Sequence, residues 1–178
     1  MPYGIYDLVA NAGTVVVGQS HDTPFFAVDC LDHWSRSVGR SRYPHATRLT
    51  VLADCGGSNG YRPRAWKYGL QHRFCNPHGI TVQVAHCPPG QSKYNPIEHR
   101  LFSEISKNWA GRPLLSWELI LNYIASTTTS TGLTVAAHLV EDDYPTGIKI
   151  TPEQMDALSL TRNETLPSWN YTVSPMSK

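Results

Sequence analysis

The hydrophobic pattern of the chain predicts short strands and amphipathic helices that follow one another in turn. Residues 5–10 and 14–18 are β-rich runs separated by a short segment containing glycine, an arrangement typical of a hairpin. From Pro24 to Gly39 the apolar residues recur at helical spacing, with Asp22 as the expected N-cap.

Two further runs, residues 49–53 and 80–85, are almost wholly apolar and have the length of strands. The first has the composition of a strand that is covered on both faces of its sheet. Residues 61–74, which lie between them, predict a helix. A further set of apolar residues at helical spacing starts at Pro96 and predicts another helix. Ser116 is the expected N-cap of the helix that follows it.

The segment beyond residue 126 begins with a run of threonine and serine residues. Two short β-like runs follow it, at residues 133–137 and 147–150. Thr151 and Gln154 have the spacing of a capping box and predict a short helix, whereas roughly the last dozen residues are expected to be irregular. The order hairpin, helix, strand, helix, strand, helix, helix predicts an α/β layer fold.

Composition and charge change this picture little. The length of 178 residues predicts one domain, and the formal net charge of +1 gives no overall field that would draw the chain to nucleic acid. No apolar run reaches the roughly 18 residues that a membrane span needs, and the start has no signal-peptide pattern, so a cytoplasmic protein is expected. DNA contact would come from two local basic clusters, Arg36, Arg40 and Arg42, and Arg62, Arg64 and Lys67.

The four cysteines show no CxxC spacing. Cys75 with His78, and His86 with Cys87, have the side chains of a zinc site, but only if the fold brings the two pairs together. Reduced and mostly buried thiols are the preferred interpretation.

Two acidic residues are candidates for function. Asp54 lies where the apolar run 49–53 meets a Gly-rich segment, a place where ligands bind in open α/β sheets, but it could equally close the strand in an Asx turn. Glu98 lies in the first turn of the helix that Asn95 is expected to cap, so it could be a ligand or a capping residue. His86 and His99 are interpreted first as hydrogen-bonded structural histidines.

The two acids together suit chemistry on phosphate. Phosphoryl transfer from DNA uses two divalent ions about 3.5–4 Å apart. Mg²⁺ prefers hard oxygen ligands and keeps several of its waters, so two or three carboxylates are enough protein for such a site. Asp54 and Glu98 could supply two of them.

Seven segments of the chain carry a more specific signal. They are residues 53–62 (ADCGGSNGYR), 88–90 (PPG), 92–103 (SKYNPIEHRLFS), 3–7 (YGIYD), 21–23 (HDT), 144–147 (YPTG) and 169–172 (WNYT). Together they resemble the ISAzo group of bacterial insertion-sequence transposases, and the resemblance covers nearly the whole chain.

The resemblance implies a ribonuclease-H-like mixed sheet flanked by helices, with a partial DDE catalytic domain in residues 1–126 and a C-terminal extension of the same domain in 127–178. It implies DNA cleavage and strand transfer that depend on Mg²⁺ or Mn²⁺. Asp54 matches the second acid of the catalytic triad and Glu98 the third, each as a metal ligand. The expected partner is DNA, both the insertion-sequence ends and the target, with predicted contacts at Asn59, Arg62, Lys93, Asn95 and His99.

The first acid of the triad has no match in the chain. In the family that acid lies on a strand upstream of the hairpin, and neither Asp7 nor Asp22 matches it. We therefore expect a truncated transposase domain that lacks the family's first strand, has an exposed apolar sheet edge and is inactive alone. The alternative is a non-catalytic fragment that binds and modulates a full-length transposase or another copy of itself.

Overall fold

The computed structural model describes residues 1–91 and 94–176. The strands are β1 (Pro2–Asp7), β2 (Ala12–Gly18), β3 (Arg48–Ala53), β4 (Thr81–His86), β5 (Thr134–Val140), β6 (Leu160–Arg162) and β7 (Asn170–Val173). The helices are α1 (Pro24–Trp34, continued by the π-helical Ser35–Gly39 and by Arg40–Arg42), α2 (Arg64–Gly69, the π-helical Leu70–Cys75 and Asn76–His78), α3 (the π-helical Glu98–Phe102 and Ser103–Trp109), α4 (Trp117–Ala125) and α5 (Pro152–Asp156).

These elements form two compact units, and each unit combines two separate segments of the chain. The first unit contains the described residues of 1–21 and 93–143. Its sheet has the strand order β1-β2-β5, with β1 antiparallel and β5 parallel to β2. Helix α4 packs on β5, and α3 packs on α4 and β1. The buried core consists of Val15, Val17, Leu101, Ile105, Ile124, Leu133 and Val135.

Helix α3 approaches the hairpin very closely at two glycines. A Cβ atom at Gly13 would lie 2.4 Å from Cδ1 of Leu101, and one at Gly4 would lie 2.5 Å from Cζ of Phe102. Leu101 is completely buried. The absence of side chains at these two glycines therefore sets how deeply α3 packs against β1 and β2.

The second unit contains the described residues of 22–92 and 144–178. Its sheet has the order β3-β4-β7-β6, in which β3 is parallel to β4 while β7 is antiparallel to β4 and β6. Helix α2 packs on β4 and β7, and α1 and α5 pack on α2. Its largest fully buried side chains include Phe26, Trp66, Leu70, Phe74 and Tyr171.

Mixed sheets flanked by helices confirm the predicted α/β class and are compatible with a ribonuclease-H-like fold. The boundary that was predicted after residue 126 stays a prediction. Among the described residues, no helix has both the length and the apolar character needed to cross a bilayer.

The hairpin and the helices of the first 126 residues are confirmed, with shifted bounds. The helix expected at residues 61–74 begins only at Arg64, since Pro63 stands at its N-cap, and it continues to His78. It ends there because Gly79 adopts a φ of 65°, the left-handed conformation that terminates helices. The expected cap of α1 is wrong by one residue: Thr23, not Asp22, accepts the hydrogen bond from the Phe26 amide at 3.3 Å.

Two expectations for the C-terminal part are wrong. Residues 147–150 form no strand, and the carbonyl of Ile150 accepts a hydrogen bond from the Arg64 side chain at 3.3 Å. The last dozen residues are not irregular, because β7 lies among them and pairs with both β4 and β6. The capping box of α5 is confirmed, with Thr151 and Gln154 each bonded to the other's backbone amide.

Strand β3 is not covered on both faces as its composition predicted. It stands at the end of the strand order in its sheet, and in the described structure its residues alternate between exposed and partly buried. Leu52 is 46% exposed. Strand β3 therefore exposes one large apolar side chain, whereas the apolar edge expected from the resemblance stays a prediction.

Candidate functional site

Asp54 directly follows β3 and is half-buried. Because β3 runs parallel to β4 and Ala53 pairs with His86, Asp54 lies at the carboxyl ends of both strands. Ligand sites in α/β sheets are usually found at such ends. The sequence predicted this position correctly.

The Gly-rich segment after Asp54 forms a tight loop, residues 55–60. Gly57 has a φ of 78°, which favours glycine. A Cβ atom at Gly60 would lie 2.6 Å from the carbonyl oxygen of Cys55, so only glycine allows the loop to fold back so closely. The Gly60 amide closes the loop by donating to the carbonyl of Gly57 at 3.2 Å.

The His86 side chain is buried beneath the start of this loop. Its Nδ1 lies 2.8 Å from the carbonyl oxygen of Asp54, and since a carbonyl only accepts, Nδ1 carries the proton. Its Nε2 lies 3.3 Å from the hydroxyl of Tyr171, which donates to it. Burial lowers the pKa of His86, the carbonyl of Asp54 opposes this, and the charge of Lys67 lowers the pKa further. The ring is therefore a neutral donor, as expected of a structural histidine.

Lys67 holds the end of the same loop. Its Nζ donates to the carbonyl of Tyr61 at 2.5 Å and lies 5.2 Å from the ring centroid of Tyr171. The residue is only 4% exposed. Burial and the charge of Arg162 lower the pKa of Lys67 to about 8. The buried Lys67 therefore does not fit the basic cluster that was expected to contact DNA together with Arg62 and Arg64.

Aromatic rings continue the arrangement toward the surface. The ring of Tyr61 packs edge-on against His86 and Trp169, with centroid distances of 6.4 and 6.0 Å. The exposed Arg62 lies with its guanidinium 5.2 Å from the Tyr61 ring centroid and donates to the Tyr61 hydroxyl at 2.9 Å. A cationic side chain that Tyr61 holds in place therefore lies just beyond the loop.

Glu98 belongs to the first unit, where it begins the π-helical stretch of α3 and is half-buried. The Asn95 side chain accepts from the Ile97 amide at 3.4 Å, and the Asn95 carbonyl accepts from the Glu98 amide at 3.2 Å. The predicted capping role of Asn95 is confirmed. Similar π-helical stretches occur in α1 and α2, so this geometry alone does not mark a site.

The predicted DNA contacts differ in their exposure. Arg62 and His99 are exposed, and Asn59 is half-buried. Asn95 is only 4% exposed and already caps a helix. Lys93 lies outside the described residues.

The predicted basic cluster on α1 is held by neighbouring side chains. Arg36 donates through Nε to both carboxylate oxygens of Asp32, at 2.9 and 2.8 Å. Arg40 donates to Nδ1 of His78 at 3.1 Å, and Nε2 of His78 in turn lies 2.5 Å from Asp32. These contacts connect α1 to the end of α2, a role that composition did not indicate.

Asp7 has a structural role in the first unit. It is 9% exposed, and its carboxylate accepts from the amides of Val9 and Ala10 at 3.1 and 3.0 Å. Asp7 therefore closes the turn of the hairpin.

The candidate metal ligands have the right chemistry for a hard divalent cation, because both are carboxylates. Asp54 belongs to the second unit and Glu98 to the first. Across residues 1–91 and 94–176, no group of three or more His, Cys, Asp and Glu side chains could hold a metal ion. The alternative zinc site has no such group either, and the thiol of Cys75 donates to the carbonyl of Val173 at 3.4 Å. All four cysteines are free thiols, as predicted, and two of them are buried.

The second unit also contains a cleft of about 490 Å³ that sequence reasoning missed. It lies between the starts of α1 and α2 and the segment 145–150, and Asp22, Arg64 and Lys149 line it. Neither Asp54 nor His86 is among its lining residues.

Comparison with known proteins gives one family. A family model described as the Rhodopirellula transposase DDE domain matches residues 1–175. No curated protein and no solved structure matches the chain significantly. The family match includes the segments of both Asp54 and Glu98.

Proposed function

The chain belongs to this family of transposase DDE domains, and we propose that Asp54 and Glu98 are two of the acids that serve DNA cleavage and strand transfer during transposition. The observation that carries the proposal is the position of Asp54. It lies at the carboxyl ends of two parallel strands, before a loop that only glycine allows to fold so tightly.

Both acids would hold Mg²⁺ or Mn²⁺. A bound divalent ion would neutralise charge on the phosphate and activate the attacking oxygen. The protein's own contribution is to hold the carboxylates in place. Asp54 is fixed through its backbone by His86, and Glu98 through the first turn of α3 by Asn95.

DNA contacts are proposed at Asn59, Arg62 and His99, and at Lys93 by its place in the same sequence segment as His99. Arg62 is the best supported, since Tyr61 orders its guanidinium at the surface. A planar guanidinium can bind phosphate oxygens in pairs. Asn95 is better explained as a helix cap, because it is buried.

We further propose that this chain does not cleave DNA alone, since only two acids of the triad have a match in it. The proposed protein partners are a full-length transposase, which would supply the missing acid, and a second copy of the chain, which would not. No separate observation favours a purely non-catalytic role.

Metal binding tests the proposal without requiring activity. Mn²⁺ bound to the wild-type chain is measured by electron paramagnetic resonance and compared with Asp54→Asn and Glu98→Gln. Each variant should weaken binding by about tenfold or more, the effect of losing a charged ligand. Asp22→Asn and Glu118→Gln are controls, because both residues are exposed acids outside the proposed site. Equal binding in all five proteins would contradict the proposal.

Activity is tested separately on DNA. We expect no Mg²⁺-dependent nicking of insertion-sequence ends by the isolated chain. Robust nicking that Asp54→Ala abolishes would overturn the claim of inactivity, while it would support the role of Asp54.

A further inference from the structure

Two buried side chains hold the two ends of the loop that follows Asp54. His86 donates to the carbonyl of Asp54 at the start of the loop, at 2.8 Å. Lys67 donates to the carbonyl of Tyr61 directly after its end, at 2.5 Å. His86 is 5% exposed and Lys67 is 4% exposed, so neither is placed to meet DNA directly.

Tyr171 connects these two residues. Its hydroxyl lies 3.3 Å from Nε2 of His86, and its ring lies under the ammonium group of Lys67 at 5.2 Å. Tyr171 is 1% exposed and stands on β7, the strand next to β4. The three residues therefore come from β4, α2 and β7, and they lie in the buried interior of one unit. We call His86, Lys67 and Tyr171 the clamp.

A buried ammonium and a buried imidazole are costly unless they have partners. An apolar side chain at either position would fill the same space without that cost. Here both groups direct their donors at main-chain carbonyls that flank one loop, which a purely structural core would not require. Three of the six loop residues, 56, 57 and 60, are glycines, so side-chain packing can stiffen the loop only at Cys55, Ser58 and Asn59.

We propose that His86 and Lys67 are positioning residues, which with Tyr171 fix the loop 55–60 so that the carboxylate of Asp54 is presented for metal binding. This inference rests on the proposed function of Asp54 as a metal ligand. The clamp acts through the backbone on either side of the loop and contacts neither metal nor substrate.

The test distinguishes the loss of a hydrogen-bond donor from the loss of side-chain packing. His86→Asn keeps an N–H donor near the position of Nδ1, whereas His86→Leu keeps the volume and removes the donor. Tyr171→Phe removes only the hydroxyl that orients the ring. Lys67→Met keeps the length of the side chain and removes its charge and its donor. His45→Leu and Lys149→Met are matched controls at exposed positions of the same unit.

The first readout is hydrogen exchange at the Gly60 amide, which closes the loop. His86→Leu and Lys67→Met should accelerate this exchange about three- to tenfold relative to amides in β4, the effect of losing one hydrogen bond. His86→Asn should restore it, Tyr171→Phe should give a smaller change in the same direction, and the controls should give none. Should His86→Leu fail to fold, Tyr171→Phe and Lys67→Met still report on the clamp.

The second readout is the affinity for Mn²⁺. It should fall about three- to tenfold in His86→Leu and recover in His86→Asn, since a buried donor is worth about that much. If Asp54→Asn abolishes Mn²⁺ binding while His86→Leu alters neither affinity nor Gly60 exchange, the clamp is wrong and the proposed function stands. If Asp54→Asn does not change the affinity for Mn²⁺, the proposed function fails. Separately, a wild-type rate of exchange at the Gly60 amide in both His86→Leu and Lys67→Met would overturn the clamp by itself.

Discussion

Lys67 shows how a single buried charge couples stability to pH. Burial lowers its pKa from 10.5 to about 8 in the folded protein. Between these two pH values the unfolded chain binds more protons at this residue than the folded chain does. The free energy of unfolding therefore rises as the pH increases from about 8 to 10.5. This contribution from Lys67 is lost again as the pH falls toward 8.

The predicted contribution of Lys67 is at most about 3 kcal/mol over that window. Urea denaturation of the wild type and Lys67→Met at pH 8, 9 and 10 should show a steeper rise for the wild type. The cysteines titrate in both proteins and cancel in the comparison. Lys149→Met, at an exposed position, should follow the wild type. Parallel curves for wild type and Lys67→Met would contradict the assigned burial of the charge.

Only part of the site could be predicted at the level of residues. Asp54 and Glu98 became candidates because each stands at a recognisable boundary, a strand end and a helix start, and their role stays a prediction. Lys67 and Tyr171 were missed as site residues, because their roles depend on which distant backbone they reach. A partial signal existed for Lys67, which lies four positions before the buried Gln71 on the inner face of α2.

At the level of elements, the contact of α3 with the hairpin depends on a missing side chain. Gly13 leaves room for Leu101, and a Cβ atom there would force the Leu101 side chain to shift. The pattern of the sequence predicted both elements correctly but not that they meet at a glycine. Such a contact arises from packing between distant segments, which periodicity does not record.

A double-mutant cycle measures this contact. Gly13→Ala should destabilise the protein by about 1–3 kcal/mol through overpacking, and Leu101→Ala by about 2–5 kcal/mol through lost burial. The double variant should cost clearly less than the sum, because the truncated side chain makes room for the new methyl group. Gly56→Ala is the control, since a Cβ there would meet no atom within 4 Å. Strict additivity in urea denaturation would refute the contact.

The C-terminal strands show why part of the fold could not be predicted from the sequence. Strands β6 and β7 have three and four residues, too short for a visible alternation. Strand β7 exists because its partners β4 and β6 supply hydrogen bonds on both sides. Conversely, residues 147–150 have strand-like composition but no strand partner among the described residues, and they remain irregular.

At the scale of the whole molecule, the near-neutral charge limits how the protein can bind DNA. The formal net charge is +1, so affinity must come from individual surface cations. Several arginines are already engaged by neighbouring groups, including Arg36, Arg40 and Arg73. Arg62, at the end of the loop after Asp54, is exposed and ordered by Tyr61.

Arg62→Ala should therefore weaken DNA binding for all sequences alike. The slope of log K against log salt concentration should fall in magnitude by about 1, the effect of one lost phosphate contact. Fluorescence anisotropy over a salt series measures both. Arg73→Ala is the matched control, because Arg73 is bonded to Asp29 at 2.8 Å. An unchanged slope in Arg62→Ala would remove Arg62 from the proposed interface.

Asp54 and Glu98 are each proposed to bind metal through their carboxylates. Oxidative cleavage by bound Fe²⁺, with ascorbate and peroxide, tests this proposal most directly because iron cuts the backbone next to its ligands. Fragments should end near residue 54 and be lost in Asp54→Asn, and fragments should end near residue 98 and be lost in Glu98→Gln, with both sets suppressed by Mg²⁺. Cleavage near only one of the two acids, or cleavage that Mg²⁺ does not suppress, would contradict the assignment of both residues as metal ligands.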